Sequence, residues 1–220
     1  MEDLVSINKL NIEARTRAGT LKVVNDLSFT IKKSETLCVV GESGCGKSVT
    51  ALSLMSLLPE GILKVSSGDI LFDNTNLAQL SEAELEGIRG NDISMIFQEP
   101  MTSLNPLFTV GEQVSEVIRR HKNLNKEKAW ASAVELLDAV KIPNPDKRAF
   151  DYPFQLSGGQ RQRVMIAIAL ACQPKILIAD EPTTALDVTI QAEILALINL
   201  LKQETGTAVM FITHDMAVVA

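Results

Sequence analysis

Short apolar runs alternate with longer segments of helical spacing along the chain. Residues 36–40, 175–179 and 208–212 are apolar runs bounded by glycine-rich, charged or polar turns. Residues 47–58 and 189–203, which follow the first and the second of these runs, carry apolar positions at helical spacing. Because strands that alternate with helices form parallel sheets, the pattern predicts an α/β fold with a parallel sheet.

Two further regions have patterns of their own. Residues 4–12 and 21–31 alternate apolar and polar side chains, which predicts a small antiparallel β element near the amino end. Residues 110–122 and 126–140 have helical spacing with intervening charges, which predicts an inserted helical subdomain. Prolines at 143, 145 and 153 interrupt this pattern before another helix, which opens near Ser157.

The composition limits the number of domains and the class of partner. At roughly 150 residues per domain, 220 residues fit one large domain or a core with an insertion. The 27 acidic and 21 basic residues give a net charge of −6, which disfavours nonspecific binding to nucleic acid. The longest stretches without a charged residue, 48–59 and 100–111, have 12 residues each, fewer than the ~18 of a membrane-spanning helix.

The amino terminus and the cysteines indicate a cytosolic chain. The first residues, Met-Glu-Asp-Leu-Val, lack the basic end and the apolar run of a secretory signal. Three cysteines without a CxxC pair favour reduced thiols over disulfides or a metal site. We expect Cys38 and Cys172 to be buried as small apolar residues.

A glycine-rich loop separates the first apolar run from the helical segment that follows it. Residues 41–48 read Gly-Glu-Ser-Gly-Cys-Gly-Lys-Ser, which fits the phosphate-binding pattern G-x-x-x-x-G-K-[ST] in full. The N–H groups of such a loop bind phosphate oxygens, while Lys47 reaches the β and γ phosphates and Ser48 ligates Mg²⁺. The residues predicted to contact the nucleotide are Gly41, Ser43, Gly44, Cys45, Gly46, Lys47, Ser48 and Val49.

A second apolar run leads directly into two carboxylates. Asp180 and Glu181 follow residues 175–179, at the end of a predicted parallel strand where ligands bind in such sheets. Asp180 is predicted to hold the hydration shell of Mg²⁺, and Glu181 to polarise the attacking water as general base. By itself this pattern is equally typical of a strand that enters a charged turn, and the phosphate loop favours the functional interpretation.

Residues 156–160, Leu-Ser-Gly-Gly-Gln, resemble the signature motif of the ABC ATPase family. The motifs occur in that family's order: the phosphate loop, Gln98, residues 156–160, Asp180 with Glu181, residues 185–187 and residues 213–215. The resemblance covers nearly the whole chain and implies a P-loop core of the ABC ATPase type. It divides the chain into a first part of the nucleotide-binding core (1–97), the glutamine segment with the helical subdomain (98–157), and a second part of the core (158–220).

The resemblance also implies how these motifs act together. In this family two nucleotide domains associate head to tail, and the signature segment of each faces the ATP held by the other domain's phosphate loop. Gln98 is expected to contact Mg²⁺ and the attacking water, His214 the γ-phosphate, and Asp187 the subunit junction. The second anion site, at the start of a helix, is expected to comprise Ser157, Gly158, Gly159 and Gln160.

The glutamine segment is similar to that of one group of importers. Residues 97–106 read Phe-Gln-Glu-Pro-Met-Thr-Ser-Leu-Asn-Pro and resemble the same segment of ATPases that energise uptake of dipeptides, oligopeptides, nickel or glutathione. Within this group, residues 112–123 and 163–168 are most similar to the amino-terminal half of glutathione importer ATPases. The resemblance implies an ATP hydrolase that needs Mg²⁺ and lies at the cytoplasmic face of the inner membrane. Its implied partners are a second ATPase domain, two transmembrane permease subunits and, indirectly, a substrate-binding protein, but no nucleic acid.

Two features depart from the family pattern. Members usually stack adenine on an aromatic residue near the amino end, but no Phe, Tyr or Trp precedes Phe29, so Arg15 or Arg17 is the candidate for stacking. The sequence stops at Ala220, six residues after His214, whereas the family continues through further strands and a helix. From this we expect the carboxyl-terminal part of the fold to be missing, with an exposed sheet edge and weak independent activity.

An alternative function is that of a non-transport ABC ATPase that acts in DNA repair or on ribosomes. Repair members would carry a long coiled-coil insertion and ribosomal members a second cassette with a basic linker, and the net charge of −6 supports neither. A P-loop kinase or GTPase offers no reason for residues 156–160. The cargo of the importer stays open, because binding proteins and membrane subunits choose it.

Overall fold

The computed structural model describes residues 2–17, 19–98, 103–183 and 187–215. Part of the glutamine segment (99–102) and Ala185 with Leu186 of the predicted subunit-junction motif lie outside the described residues. The chain divides into two compact units, here called unit one (Met1–Arg89 with Ala208–Ala220) and unit two (Gly90–Thr207). The predicted domain boundaries at 97 and 157 stay predictions.

Unit one contains the antiparallel element predicted near the amino end. Strands β1 (Asp3–Thr16), β2 (Gly19–Lys32), β4 (Leu63–Phe72) and β5 (Thr75–Asn76) form a sheet in the order β2-β1-β4-β5. Its apolar side chains alternate along β1 and cover one face of the sheet, where the following are fully buried: Val5, Ile7, Leu10, Ile12 and Ile31.

A bulge bends this sheet where β1 meets both of its neighbours. The register of β1 against β4 shifts between Asn8 and Asn11, and Lys9 has a positive φ of 47°. The Asn11 side chain holds the bulge, because its amide group donates to the Lys9 carbonyl at 2.9 Å and its oxygen accepts from the Asp26 N–H at 3.1 Å. Gly68 on β4 lies directly against this distorted backbone.

A parallel strand pair follows in the same unit. Strands β3 (Thr36–Val40) and β8 (Ala208–Thr213) pair in parallel, as the apolar runs predict. The expectation that Cys38 is buried is wrong. Thr36, Cys38 and Val40 alternate along β3 and share its exposed face, whereas Leu37 and Val39 on the other face are half-buried.

Two helices complete unit one, α1 (Lys47–Leu54) and α2 (Glu82–Ile88). Arg89 ties them together, since its guanidinium donates to the Met55 carbonyl at 2.7 Å and to the Ser56 carbonyl at 2.9 Å and also pairs with Glu82. These carbonyls lie just past the end of α1, where backbone acceptors lack helical partners. Helix α1 therefore ends four residues earlier than the predicted 47–58.

Unit two combines a second parallel strand pair with five helices among its described residues. Strands β6 (Ile93–Ile96) and β7 (Ile176–Asp180) pair in parallel and are almost fully buried. The helices are α3 (Val110–Lys122), α4 (Lys126–Ala139), α5 (Pro145–Arg148), α6 (Gly158–Leu170) and α7 (Val188–Thr205). The helical insertion is thus confirmed, and α3 has the predicted bounds. Among the described helices, none is long and apolar enough to cross a membrane.

Side-chain caps and one ion pair fix the helices of unit two. Thr109, Asn125 and Asp187 each accept a backbone N–H at the start of a helix, as polar N-cap residues do. Arg163 on α6 pairs with Glu193 on α7 at 2.6 Å and donates to the carbonyl that ends α4. Cys172 is buried as expected, and burial raises the pKa of its thiol.

Candidate functional site

The phosphate loop of unit one connects β3 to α1 as the sequence predicts. Gly46 caps α1 with a φ of 93°, a conformation that L side chains rarely adopt, so the helix begins at Lys47. A Cβ atom at Gly46 would lie 2.9 Å from the Val23 carbonyl oxygen of β2, so the loop backbone requires glycine there. Ser43, Gly44 and Cys45 are exposed, which leaves the outer side of the loop open to a ligand.

The lysine of the loop is fixed in place although its side chain is cationic. Lys47 is only 8% exposed, and its ammonium donates to the carbonyls of Gly41 and Glu42, both at 2.8 Å. The Cys45 sulfur lies 3.9 Å from the same nitrogen. The loop thus holds a buried positive charge at the amino end of a helix, an arrangement that binds phosphate groups. Ser48 and Val49 are half-buried in the first turn of α1.

The structure places His214 at the same edge of the parallel pair as the phosphate loop. Val40 on β3 is the register partner of Thr213 on β8, and the loop and His214 follow these two residues directly. Thr213 accepts the Asp215 N–H at 3.0 Å, which shapes the turn that carries His214. The imidazole is exposed.

Arg15, one of the two candidates for adenine stacking, lines a cavity in unit one. The cavity has a volume of about 410 Å³ and lies at the hairpin end of β1 and β2. Its lining includes Thr20, the exposed Ile62 and Lys64. A guanidinium beside apolar side chains suits a planar aromatic ring, and stacking by Arg15 or Arg17 stays a prediction.

In unit two the carboxyl ends of β6 and β7 bring three predicted residues together. Ile96 pairs with Ala179, and Gln98 and Glu181 each follow two residues later. The Gln98 amide nitrogen donates to the Glu181 carboxylate at 3.1 Å. Asp180 ends β7 and is only 4% exposed, whereas Glu181 is half-buried and has a φ of 46°.

The signature segment opens α6 as predicted. Ser157 caps the helix by accepting the Gln160 N–H at 3.3 Å, and the Gln160 side chain accepts the Ser157 N–H at 3.0 Å. This reciprocal cap uses the N–H of Gln160, so the N–H groups of Gly158 and Gly159 are those that an anion could bind in the first turn. A Cβ atom at Gly159 would lie 3.0 Å from Ile190, so α6 and α7 approach closely there.

Asp187 lies at the start of α7 in unit two. Its carboxylate accepts the Ile190 N–H at 2.9 Å, which makes it the N-cap of the helix. The residue is exposed, so the capping role leaves room for a contact with another subunit. The contact at a subunit junction stays a prediction.

Exposed aromatic side chains cluster around the start of α3 in unit two. The Val110 N–H donates to the Asp151 carbonyl and the Gly111 N–H to the Ala149 carbonyl, both at 2.9 Å. These bonds hold together the two chain segments that carry the exposed side chains. The Gln113 side chain fixes the preceding loop by bonds to Asn105 and Phe108 of 2.9–3.0 Å. The exposed apolar residues of this surface are Leu107, Phe108, Phe150, Tyr152 and Phe154.

Two features of the site were not predicted from the sequence: the bond between Gln98 and Glu181, and the strand β6 that leads to Gln98. The sequence contains a partial indication of this strand, because residues 93–96 are a mostly apolar run directly before the glutamine segment. The pairing of this run with β7 then follows only from the three-dimensional register. The two groups of predicted residues thus lie in unit one (the loop and His214) and in unit two (the remainder).

Comparisons with known proteins identify the family of this chain. The sequence model of the ABC transporter family matches residues 24–184. The dipeptide transport ATP-binding protein DppD of Bacillus subtilis is 53% identical over 220 residues, which are 100% of this chain and 66% of that protein. The glutathione import ATP-binding protein GsiA of Salmonella paratyphi A is 53% identical over 223 residues, 99% of this chain and 36% of that protein.

A solved structure shares the fold as well. The ATP-binding cassette MJ0796, a dimer in a post-hydrolysis state bound to ADP and Pi, superimposes with a TM-score of 0.86 at 32% identity, over 97% of this chain and 89% of that chain. The α/β cassette fold with its antiparallel and helical parts is therefore confirmed. Because the family model covers most of the chain, and the relatives match it from end to end, the protein belongs to the ABC transporter family.

Proposed function

We propose that the protein is the ATP-binding and ATP-hydrolysing subunit of an ABC importer for peptides or related small solutes. The observation that carries this proposal is the phosphate loop, in which the buried Lys47 ammonium is held against Gly41 and Glu42 at the start of α1. Similarity over the whole chain to dipeptide and glutathione import ATP-binding proteins supports transport as the process that hydrolysis drives.

ATP fits the phosphate loop as its substrate. Gly44 and Gly46 adopt positive φ angles, which glycine allows, and neither adds a side chain to the loop where phosphate oxygens would bind the N–H groups. Lys47 would exchange its bonds to the loop carbonyls for the β and γ phosphates. The Ser157–Gln160 segment and Asp187 would serve the ATP of a second ATPase domain, and His214 would contact the γ-phosphate.

The donor set of Ser48, Gln98 and Asp180 fits Mg²⁺. All three offer hard oxygen ligands, which Mg²⁺ prefers, and Asp180 is almost completely buried at the carboxyl end of β7. When bound, Mg²⁺ neutralises negative charge on the phosphates. Glu181 would accept the proton of the attacking water, since it is the carboxylate that follows the buried metal ligand.

The exposed aromatic surface around α3 supports docking to a protein partner. Groups of exposed apolar side chains usually mark interaction sites, and the Gln113 bonds fix the loop that carries Phe108. We assign it to one of two permease subunits at the cytoplasmic face of the inner membrane, with a substrate-binding protein as the indirect partner. Replacing Phe150 and Phe154 by Ser should weaken binding to the permease, whereas Leu21→Ser, at an exposed position of unit one, should not.

The test is ATP hydrolysis by the protein reconstituted with permease subunits in vesicles. Glu181→Gln should bind ATP as the wild type does and lower turnover by roughly 10²- to 10⁴-fold, because the general base is lost. Glu204→Gln, an exposed position of α7, is the matched control and should change nothing. Near-wild-type turnover of Glu181→Gln would contradict the assignment of the base.

Cargo and the alternative function are decided in the same vesicles. Stimulation by a binding protein loaded with a dipeptide, an oligopeptide, glutathione or nickel identifies the substrate class. Each relative named above is a transport ATP-binding protein, so a soluble ATPase of DNA repair or ribosomes has no support from them. Stimulation by DNA or ribosomes, with none by a permease, would establish that alternative instead.

A further inference from the structure

Gln98 and Glu181 touch because two parallel strands end in register. Ile96 at the end of β6 pairs with Ala179 on β7, and Gln98 and Glu181 each follow two residues later, beyond the ends of the strands. The bond between the Gln98 Nε2 and Glu181 Oε2 atoms is 3.1 Å long and joins residues 83 positions apart. This contact lies inside unit two, so the pairing of its own strands is enough to create it.

The chemistry of the two groups fixes which end of the amide faces the carboxylate. An ionised carboxylate can only accept hydrogen bonds, so the amide nitrogen of Gln98 must point toward it. The amide oxygen lies at the opposite side of the same planar group. Gln98 can therefore donate to Glu181 through nitrogen and still offer its oxygen as a ligand to Mg²⁺.

The backbone of Glu181 is unusual for a residue with a side chain. Its φ of 46° lies in the left-handed region, which costs an L-residue energy and persists where the surroundings impose it. Pro182 and Thr183, which follow directly, are both buried. The backbone thus restricts the direction of the side chain, and the Gln98 bond favours one rotation of its carboxylate, with Oε2 toward the amide.

We propose that Gln98 is a positioning residue for Glu181, whose amide N–H holds the carboxylate in the orientation that accepts a proton from water. The inference rests on the proposed function, in which Glu181 is the general base. It adds to the role of Gln98 as a metal ligand a second role that acts through another side chain. A bond of this kind to a charged group affects rate by about 10-fold.

The contact itself is tested without hydrolysis. The side-chain amide signals of Gln98 are assigned in ¹H–¹⁵N spectra of the nucleotide-free protein by their loss in Gln98→Met. In Glu181→Ala they should move upfield, because the acceptor has been removed. Unchanged Gln98 signals in that variant would overturn the proposal, whatever the activity of the protein.

The positioning role is tested by a double-mutant cycle on steady-state ATP hydrolysis by the protein reconstituted with permease subunits. Gln98→Glu keeps an oxygen ligand for Mg²⁺ but cannot donate, and it should lower kcat by about 10-fold with little change in KM. The same substitution in the Glu181→Gln background should cost less than about 2-fold, since no base remains to be positioned. Equal losses in both backgrounds would overturn the proposal.

A metal-only role has a different signature. If Gln98 acted through Mg²⁺ alone, Gln98→Met would raise the Mg²⁺ concentration needed for half-maximal activity and would cost the same factor with or without Glu181. A wild-type protein that hydrolyses no ATP with its permease would refute the proposed function, and the spectroscopic result would still decide whether the contact exists.

Discussion

Replacing Gly68 by alanine should strongly destabilise unit one. A Cβ atom at this position would lie 2.5 Å from the Lys9 carbonyl oxygen, 2.6 Å from the Leu10 Cα and 2.7 Å from the Asn8 carbonyl oxygen. All three atoms belong to the backbone of β1, so no side chain can rotate away. The residue also has a φ of 95°, which alanine adopts with strain.

The expected loss combines two separable contributions. The left-handed backbone costs alanine about 1–2 kcal/mol, and forcing the bulged strands apart costs about 1–3 kcal/mol more. Alanine recovers about 0.4–1 kcal/mol because it restricts the unfolded chain. The net loss of about 1–5 kcal/mol is a large part of the ~5–15 kcal/mol by which a protein is stable.

Two other glycines provide matched controls in a urea denaturation series. Gly61 has a φ of 72° but nothing within 4 Å of the position of an added Cβ atom. Gly61→Ala should therefore lower the free energy of unfolding only through backbone strain, by about 1 kcal/mol. Gly87 lies in α2 without positive φ or close neighbours, so Gly87→Ala should be neutral or stabilising by up to about 1 kcal/mol. A Gly68→Ala variant no less stable than Gly61→Ala, at equal m-values, would refute the clash argument.

Three further outcomes are expected. Lys47→Ala should weaken ATP binding by roughly 10- to 100-fold, because a buried cation is removed from the phosphate loop, and calorimetry of the folded variant measures it. Alkylation of the exposed Cys45 should block hydrolysis by filling the loop, with protection by ATP and resistance in Cys45→Ser; labelling that ATP does not slow would count against this. Burial holds the pKa of His121 below 6.5, with a smaller effect from Arg120 in the same direction and an opposing one from Asp92. The unfolded state then binds the proton more readily, so stability should fall as the pH drops below about 6.5, and His121→Gln should abolish that part of the pH dependence in thermal melts.

Elements with strong local signals were predictable from the sequence. Helix α3 has the predicted bounds because Thr109 caps its start and Asn123, with a φ of 51°, ends it. Strand β3 has the predicted bounds because Gly41 and the glycine-rich loop follow it directly. In both elements the residues that stop the structure lie next to it in the sequence.

Elements whose signal depends on tertiary contacts were missed. Strand β4 carries Ser66, Ser67 and Gly68 at its centre, where the bulge of β1 replaces apolar alternation by polar bonds. Strand β6 has only four residues, and all are buried, so it shows no periodicity. Helix α2 could have been found from its capping box, in which Ser81 and Glu84 bond reciprocally.

Local sequence identifies the site residues, whereas the register of the strands determines which of them touch. Each candidate group follows directly on a strand or opens a helix, so local sequence is enough to identify it. Which groups meet depends on register instead: Val40 opposite Thr213 brings the phosphate loop beside His214, and Ile96 opposite Ala179 brings Gln98 to Glu181. A slip of one residue in either pair would turn every side chain of that strand to the other face. Because β6 and β7 are buried on both faces, burial alone does not oppose such a slip. The bond between Gln98 and Glu181 at one end, and the ion pair between Lys175 and Asp92 at the other, are contacts that favour the observed register.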